Sequence, residues 1–471
     1  MILGFKSQEY FDRTAIILAD GSSLSYAKLH EAVAFLAPYL PRRQLIFLLG
    51  ENDLPSLICY LAALEVGAVP LLLSAKIAQP QLMRLIECHD PGFIFMRSAT
   101  ENCANQWIEL LEQDGYALYQ RPQACSAVLH KDLALLLATS GSTGSPKLVR
   151  LTGDNLTANA ASIITYLGIE ARDRAISSLP MHYSYGLSVI NSHLQAGASV
   201  VLTSRSMMDP IFWKLMNECA VSTLAGVPYS FEMLLKLRLG NMNLSSLRKI
   251  TQAGGRLDPE KIQQVYAICK ANGIDFYVMY GQTEATARIA YMLPVDTLRK
   301  LGSIGRAIPG GGLWIEDHQG HRVTTPGVLG ELVYTGPNVS MGYAEQAEDL
   351  KLGDINKGIL HTGDLARFDE EGFFFIEGRL RRFLKIFGLR ISLDAVEQIV
   401  LEQGMVCAAH GRDDHLVVHV VENGQLCTNV MRQEMARTLG VHSSAIVVKI
   451  LPELPRLPSG KVDYQCLTQL S

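Results

Sequence analysis

A chain of 471 residues with 48% hydrophobic content is long enough for a large core and at least two folding units. Its 42 Lys and Arg nearly balance 46 Asp and Glu, for a net charge of -4, which excludes the basic excess expected of a nucleic-acid binder. Nine cysteines, an odd number spread from Cys59 to Cys466 with no C-x-x-C pair, read as reduced thiols of a cytoplasmic protein rather than a disulfide frame or a zinc site.

The N-terminal MILGFKSQEYFDR has no basic region ahead of its apolar residues, so it does not read as a signal peptide. From about Ala15 to Ala225, short apolar runs alternate with helical patterns such as 26–39 and 54–66. The runs are LIFLLG, AVPLLL, GFIFM, LALLLATS, RAISSLP, ASVVLTS and VSTLAGVP. That alternation predicts sheets with much parallel character, covered by helices. The most membrane-like stretch, 57–73, is interrupted by Glu65, Gly67 and Pro70 and falls short of the roughly 20 apolar residues of a span. It reads as a buried helix, a turn and a buried strand. From Gly302, Gly-rich turns between short apolar runs predict a β-rich subdomain over about 302–379. After Arg379 come a strand (RFLKIFG), a helix (LDAVEQIVLEQ), a strand (HLVVHVVEN), a helix closed by Gly440, and AIVVKIL. The expectation is an α/β chain: a large N-terminal domain, 1–379, and a small mobile α+β domain, 382–471, hinged near Arg381.

Four stretches carry chemistry. TSGSTGSPK, 139–147, follows an apolar run but is not a P-loop, because Lys147 does not directly follow the last Gly. Successive backbone N–H groups in such a loop still make an anion-binding concavity, and Lys147 adds a compact positive charge. YGQTEAT, Tyr280 to Thr286, brings an aromatic, a glycine, a hydroxyl and a carboxylate to a strand end, where ligands bind in open α/β sheets. Tyr280 suits stacking on a purine, Thr283 a phosphate and Glu284 a Mg²⁺ ion. Asp364, in HTGD, suits the two hydroxyls of a ribose, and the Arg379 fork suits phosphate or ribose oxygens. Lys461 follows a Pro-Ser-Gly turn. Taken singly, each has a plainer reading as a surface turn, a helix start, a turn cap or a solvated charge.

In order along the chain, TSGSTGSPK, LPMHYSYGL, QAGGRL, YGQTEAT, GELVYTG, HTGD, GRLRRFLKIFG and PSGK together resemble the adenylate-forming (AMP-binding) superfamily. Its members include acyl-CoA synthetases, peptide-synthetase adenylation domains and luciferases. The resemblance implies ATP-dependent conversion of a carboxylic acid to acyl-AMP and pyrophosphate, then transfer to a thiol. ATP is then a substrate, Mg²⁺ a cofactor, and the acceptor CoA or the phosphopantetheine arm of a carrier protein. It implies that Ser140, Gly141, Ser142, Thr143, Gly144 and Lys147 cradle the β- and γ-phosphates. Gly254 and Gly255 flank adenine and the acyl pocket, and Tyr280, Gly281 and Gln282 belong to the adenine site. Thr283 meets the α-phosphate, Glu284 holds Mg²⁺, Asp364 binds ribose and Arg379 lies beside the nucleotide. Lys461 matches the mobile lysine of adenylation, carried away when the small domain rotates. The acyl pocket draws on Tyr183, Ser184, Tyr185, Gly186, Val227, Pro228 and Ala253 to Gly255.

The chain also departs from that pattern. Arg381 stands at the hinge, where the family has Asp or Lys. His182 sits one place early, with Tyr183 in the usual position, and reads as a packed, hydrogen-bonded histidine. Residues 181–187 contain no Asp for a substrate ammonium, which disfavours an α-amino acid. The cluster Arg379, Arg381, Arg382, Lys385 and Arg390 is either a docking site for CoA phosphates or an acidic carrier, or a solvated strand face. With no carrier domain after Lys461, a protein acceptor acts in trans.

Overall fold

In a computed structural model, described for residues 8–98, 107–122, 127–138, 147–380, 382–387, 389–421, 428–457 and 460–470, the chain forms two compact units. One takes the described residues up to 312 together with 334–360. The other takes 313–333 and the described residues from 361 onward. By packing, the β-rich segment 302–379 divides about evenly between the two units.

The first unit is built on two sheets. The nine-stranded sheet has six consecutive parallel strands, from Asp275–Tyr280 through Lys249–Gln252, Thr223–Gly226, Arg174–Ile176 and Ser199–Val201 to Thr14–Ile17. The eight-stranded sheet has a parallel centre of Leu133–Ala138, Val69–Ser74, Leu45–Gly50 and Phe93–Arg97. Both faces of that centre are covered, which explains the unbroken apolar run LIFLLG. Ile46 and Leu48 join a core with Ile16 and Val200 of the other sheet and with Tyr60, Leu61, Leu187 and Ile190 from helices. Leu45, Phe47 and Leu49 face the opposite way, onto Leu82 and Ile86. Asp53 caps the helix Leu54–Val66, and Gly67, at φ 75, ends it before the strand Val69–Ser74. No described helix is long and apolar enough to cross a membrane.

The texture change at Gly302 does not coincide with a change of unit. Strand Arg306–Ala307 still edges the nine-stranded sheet, and Tyr343–Ala344 edges the eight-stranded one. Arg150, fully buried on the strand Leu148–Thr152, explains the return of residues 334–360. Its guanidinium donates to the carbonyls of Tyr343 (3.0 Å), Met341 (2.9 Å), Gly353 (3.2 Å) and Leu352.

The second unit holds residues 361–368 of the strand Ile359–Phe368 with its antiparallel partner Phe374–Arg379, then the hairpin Phe383–Ile386 and Leu389–Ser392. Three strands, Cys407–Arg412, His415–Val421 and Ile446–Leu451, form a sheet over helices Leu393–Glu402 and Thr428–Leu439. Val396, Val400, Leu416, Val418, Met435 and Ile446 make its core.

Buried histidines give the fold a pH dependence. Burial pushes His89 and His193 down to about 4, from an ordinary value near 6.5. The unfolded chain therefore takes up protons first, and stability is complete above pH 6.5 and lost as pH falls toward 4. Each group contributes about 3 kcal/mol over that window. His419 acts in the same direction, with its Nε2 3.0 Å from that of His410. Thermal unfolding is expected to shift to markedly lower temperature between pH 7.5 and pH 5. An unchanged midpoint would contradict the neutral buried state.

Candidate active site

The loop after the strand Asp275–Tyr280 is tightly pinched. Gly281 lies against the backbone of Ala287 and Arg288, with no room for a Cβ. Thr286, at φ 63 and ψ -54, closes a γ-turn through a 2.6 Å bond from Ala287 N–H to the Ala285 carbonyl. Positive φ at a buried threonine is strained, and it persists because Thr286 Oγ1 donates to the Asn338 carbonyl at 2.7 Å. Asn338 Nδ2 in turn donates to the carbonyls of Ala285 and Arg288. This bracing holds Thr283 and Glu284 at the tip.

Two groups of expected site residues meet there. Thr283 Oγ1 is 3.1 Å from the Ser184 hydroxyl, at the start of the helix Ser184–Gln195. Glu284 Oε1 accepts from the Tyr343 hydroxyl at 2.6 Å, and Lys147 Nζ lies 5.6 Å from the centre of the Tyr343 ring. Lys147 also pairs with Glu345 at 2.5 Å. Gln282 Nε2 donates to the Tyr280 hydroxyl at 3.1 Å, which orients that ring. Residues 139–146, with Ser140, Gly141, Ser142, Thr143 and Gly144, lie outside the described residues, as does Arg381.

The pocket residues also converge. Gly254, at φ 86, packs against the Tyr183 hydroxyl and Val227, and Gly255 against Pro228; a Cβ on Gly254 would strike both of its neighbours. Ala253 N–H donates to the Gly226 carbonyl at 3.2 Å. Tyr185 donates to the Thr251 carbonyl at 2.8 Å, and Gly186 packs on the backbone of Leu179 and Pro180. Burial pushes the Tyr183 phenol up to about 12 and His182 down to about 4. His182 is therefore neutral and packed, but its Nδ1 is buried without a partner among the described residues, so the expected hydrogen bond is not found there.

Within the second unit, Asp364 and Arg379 face each other across paired strands, with Oδ1 to Nε at 3.0 Å. The Asp364 side chain is 4% exposed and the Arg379 side chain 60%, so the carboxylate is fixed and the guanidinium reaches outward. Lys461 closes a small turn. Its carbonyl accepts from Leu457 N–H at 2.8 Å, and Arg456 bridges to Val462 beside it. Arg382 does not belong to a solvated basic cluster. It is bound to Asp394, to Glu397 at 2.7 Å and to the Ala409 carbonyl at 3.0 Å, and its fork lies over Tyr464.

Among the described residues, no three His, Cys, Asp or Glu form a metal cage. A single hard carboxylate such as Glu284, with no Lys or Arg paired to it among the described residues, suits Mg²⁺ that arrives with substrate phosphates. Sequence reasoning missed Tyr343, Arg150 and Arg288. The available signal was a charged residue inside an otherwise apolar run, in LVRLT and ATARIAYM.

Residues 5–344 match the AMP-binding enzyme family. The chain is 31% identical to an indoleacetate–CoA ligase of Aromatoleum aromaticum, over 95% of this chain and 93% of that one. It is 28% identical to a 2-succinylbenzoate–CoA ligase of Bacillus cytotoxicus, over 98% and 96%. The O-succinylbenzoate coenzyme A synthetase of Bacillus subtilis, solved with ATP and magnesium, superposes with a TM-score of 0.76 at 24% identity, covering 97% of this chain and 96% of that one. The chain belongs to the AMP-binding family of adenylate-forming enzymes.

Proposed function

We propose that this chain is an AMP-forming acid–thiol ligase that activates a carboxylic acid with ATP and passes the acyl group to CoA. One observation carries the reading. The loop bearing Thr283 and Glu284 touches the acyl-pocket segment through Ser184 and shares Tyr343 with Lys147, the last residue of the phosphate-loop motif. An acid and a triphosphate brought to that loop are held together, which is the main requirement of a two-substrate step.

In this reading, Thr283 donates to the α-phosphate and Lys147 lies along the β- and γ-phosphates, with the 140–144 backbone. Glu284 holds Mg²⁺, which when bound neutralises charge on the phosphate oxygens. Tyr280, Gly281 and Gln282 take the adenine edge of the nucleotide, with Gly254 and Gly255 opposite. Asp364 accepts both ribose hydroxyls, and Arg379 takes a neighbouring oxygen. Lys461 stabilises charge developing on the α-phosphate as the acid carboxylate attacks and pyrophosphate leaves. The thiol of CoA then attacks the acyl carbon and AMP departs. CoA is the acceptor because both curated relatives above are CoA ligases along nearly their whole length. The buried thiols Cys59, Cys219 and Cys269 support a reducing, cytoplasmic location.

Product analysis tests this. With ATP, Mg²⁺, an accepted acid and CoA, AMP and the acyl-CoA thioester form in equal amounts. Formation of ADP would overturn adenylation. AMP release with a carrier protein but not with CoA would overturn the choice of acceptor.

A further inference from the structure

Arg288 is the one arginine of the loop 281–288. Only 2% of it is exposed, and its guanidinium lies 4.0 Å above the ring of Tyr185. Its guanidinium also makes a long 3.4 Å bond from Nη1 to the Ala287 carbonyl and a polar contact with the Tyr166 hydroxyl, and Nε is buried with no partner among the described residues. Among the described residues, no carboxylate lies within ion-pair distance of it. The charge bears on the hydroxyls of Tyr183 and Tyr166. Tyr183 in turn packs on Gly254, so Arg288 borders the aromatic wall of the acyl pocket.

A buried guanidinium is stable when a carboxylate and full hydrogen bonding compensate it, and is strongly unfavourable alone. Arg150 shows the compensated case in this same unit, with four carbonyls around its fork. Arg288 has no such set. A cation over an aromatic face offsets part of the desolvation and leaves the Nε donor unused among the described residues. A guanidinium fork matches a carboxylate in a two-pronged fashion.

We propose that Arg288 is the specificity residue of this pocket and takes a second carboxylate on the acid that is activated. The substrates are then dicarboxylic acids, aliphatic or aromatic. One carboxylate reacts beside Thr283 and the other pairs with Arg288, and Tyr183 and Tyr185 flank the chain between them. This inference rests on the ligase reading above.

The test compares glutaric, adipic, pimelic and 2-carboxyphenylacetic acids with their monoamides, in which the reacting carboxylate is kept and the second is neutral. ATP–pyrophosphate exchange is measured for the native enzyme, Arg288→Met and Arg288→Lys. The native enzyme is expected to prefer its best diacid over the monoamide by at least about 10²-fold in kcat/KM, the scale of losing one partner of a buried charge pair. Arg288→Met abolishes that preference, leaves the KM for ATP unchanged, and removes the rise in melting temperature that the diacid gives the native protein. Arg288→Lys keeps part of the preference and serves where the Met variant does not fold. A preference for neutral-tailed acids in the native enzyme, or a diacid preference that survives in Arg288→Met, overturns the assignment and leaves the ligase reading standing. Absence of exchange with every acid overturns both.

Discussion

Lys461→Ala is expected to slow adenylation by about 10²–10³-fold, the usual loss for one donor aimed at transition-state charge. Thioester formation from supplied acyl-AMP should change far less. The structure makes this a chemical rather than a folding effect. Lys461 sits on a turn closed by backbone bonds, Leu457 N–H to the Lys461 carbonyl and Gly460 N–H to the Leu457 carbonyl, which a side-chain truncation leaves intact. The helix that follows, Tyr464–Gln469, is anchored by Tyr464 donating to Glu397 at 2.9 Å, in the cluster centred on Arg382. Half-reactions measured separately decide the matter. Equal loss in both would remove Lys461 from a role specific to adenylation.

Glu284→Gln is expected to lower the adenylation rate by about 10²-fold, or about 2.7 kcal/mol, at a Mg²⁺ concentration that saturates the native enzyme. The amide can still accept from Tyr343, so the loop keeps its shape, and what is lost is the anionic metal ligand. Raising Mg²⁺ should recover part of the rate. The comparison with Tyr343→Phe separates the two contributions, because that variant keeps the carboxylate and removes only its 2.6 Å orienting bond. Removing such an outer partner costs about 10–100-fold in metal affinity. A Gln variant with native Mg²⁺ dependence would exclude Glu284 as the ligand.

The sheet centres were legible in the sequence because parallel strands buried on both faces are continuous apolar runs. Leu45 through Gly50 and Val69 through Leu73 are buried without interruption. The helix 54–66 was legible as a helical pattern, and Gly67, which interrupts the apolar stretch, ends it in a left-handed conformation. The division into packing units was not legible. Residues 334–360 return to the first unit through Arg150, which bonds Tyr343 across a separation of 193 positions, and no local pattern encodes that. Two-residue edge strands such as Arg306–Ala307 and Tyr343–Ala344 are too short to show a period.

The candidate site divides in the same way. Thr283 and Glu284 were marked by residue type and by their place at a strand end, and Ser184 only by the family resemblance. Tyr343 was hidden because its role depends on a distant carboxylate, 59 positions away. Arg288 was hidden because it lies in a run that otherwise reads as strand. Both are visible only once packing shows which polar groups have partners.

The measurement that bears most directly on the central claim is ATP–pyrophosphate exchange by the purified protein with Mg²⁺, across carboxylic acids and without any thiol. Exchange that requires an acid, with none in its absence, is the predicted result and establishes acyl-AMP formation independently of the acceptor. Demonstrable binding of Mg·ATP with no exchange for any acid would contradict the account.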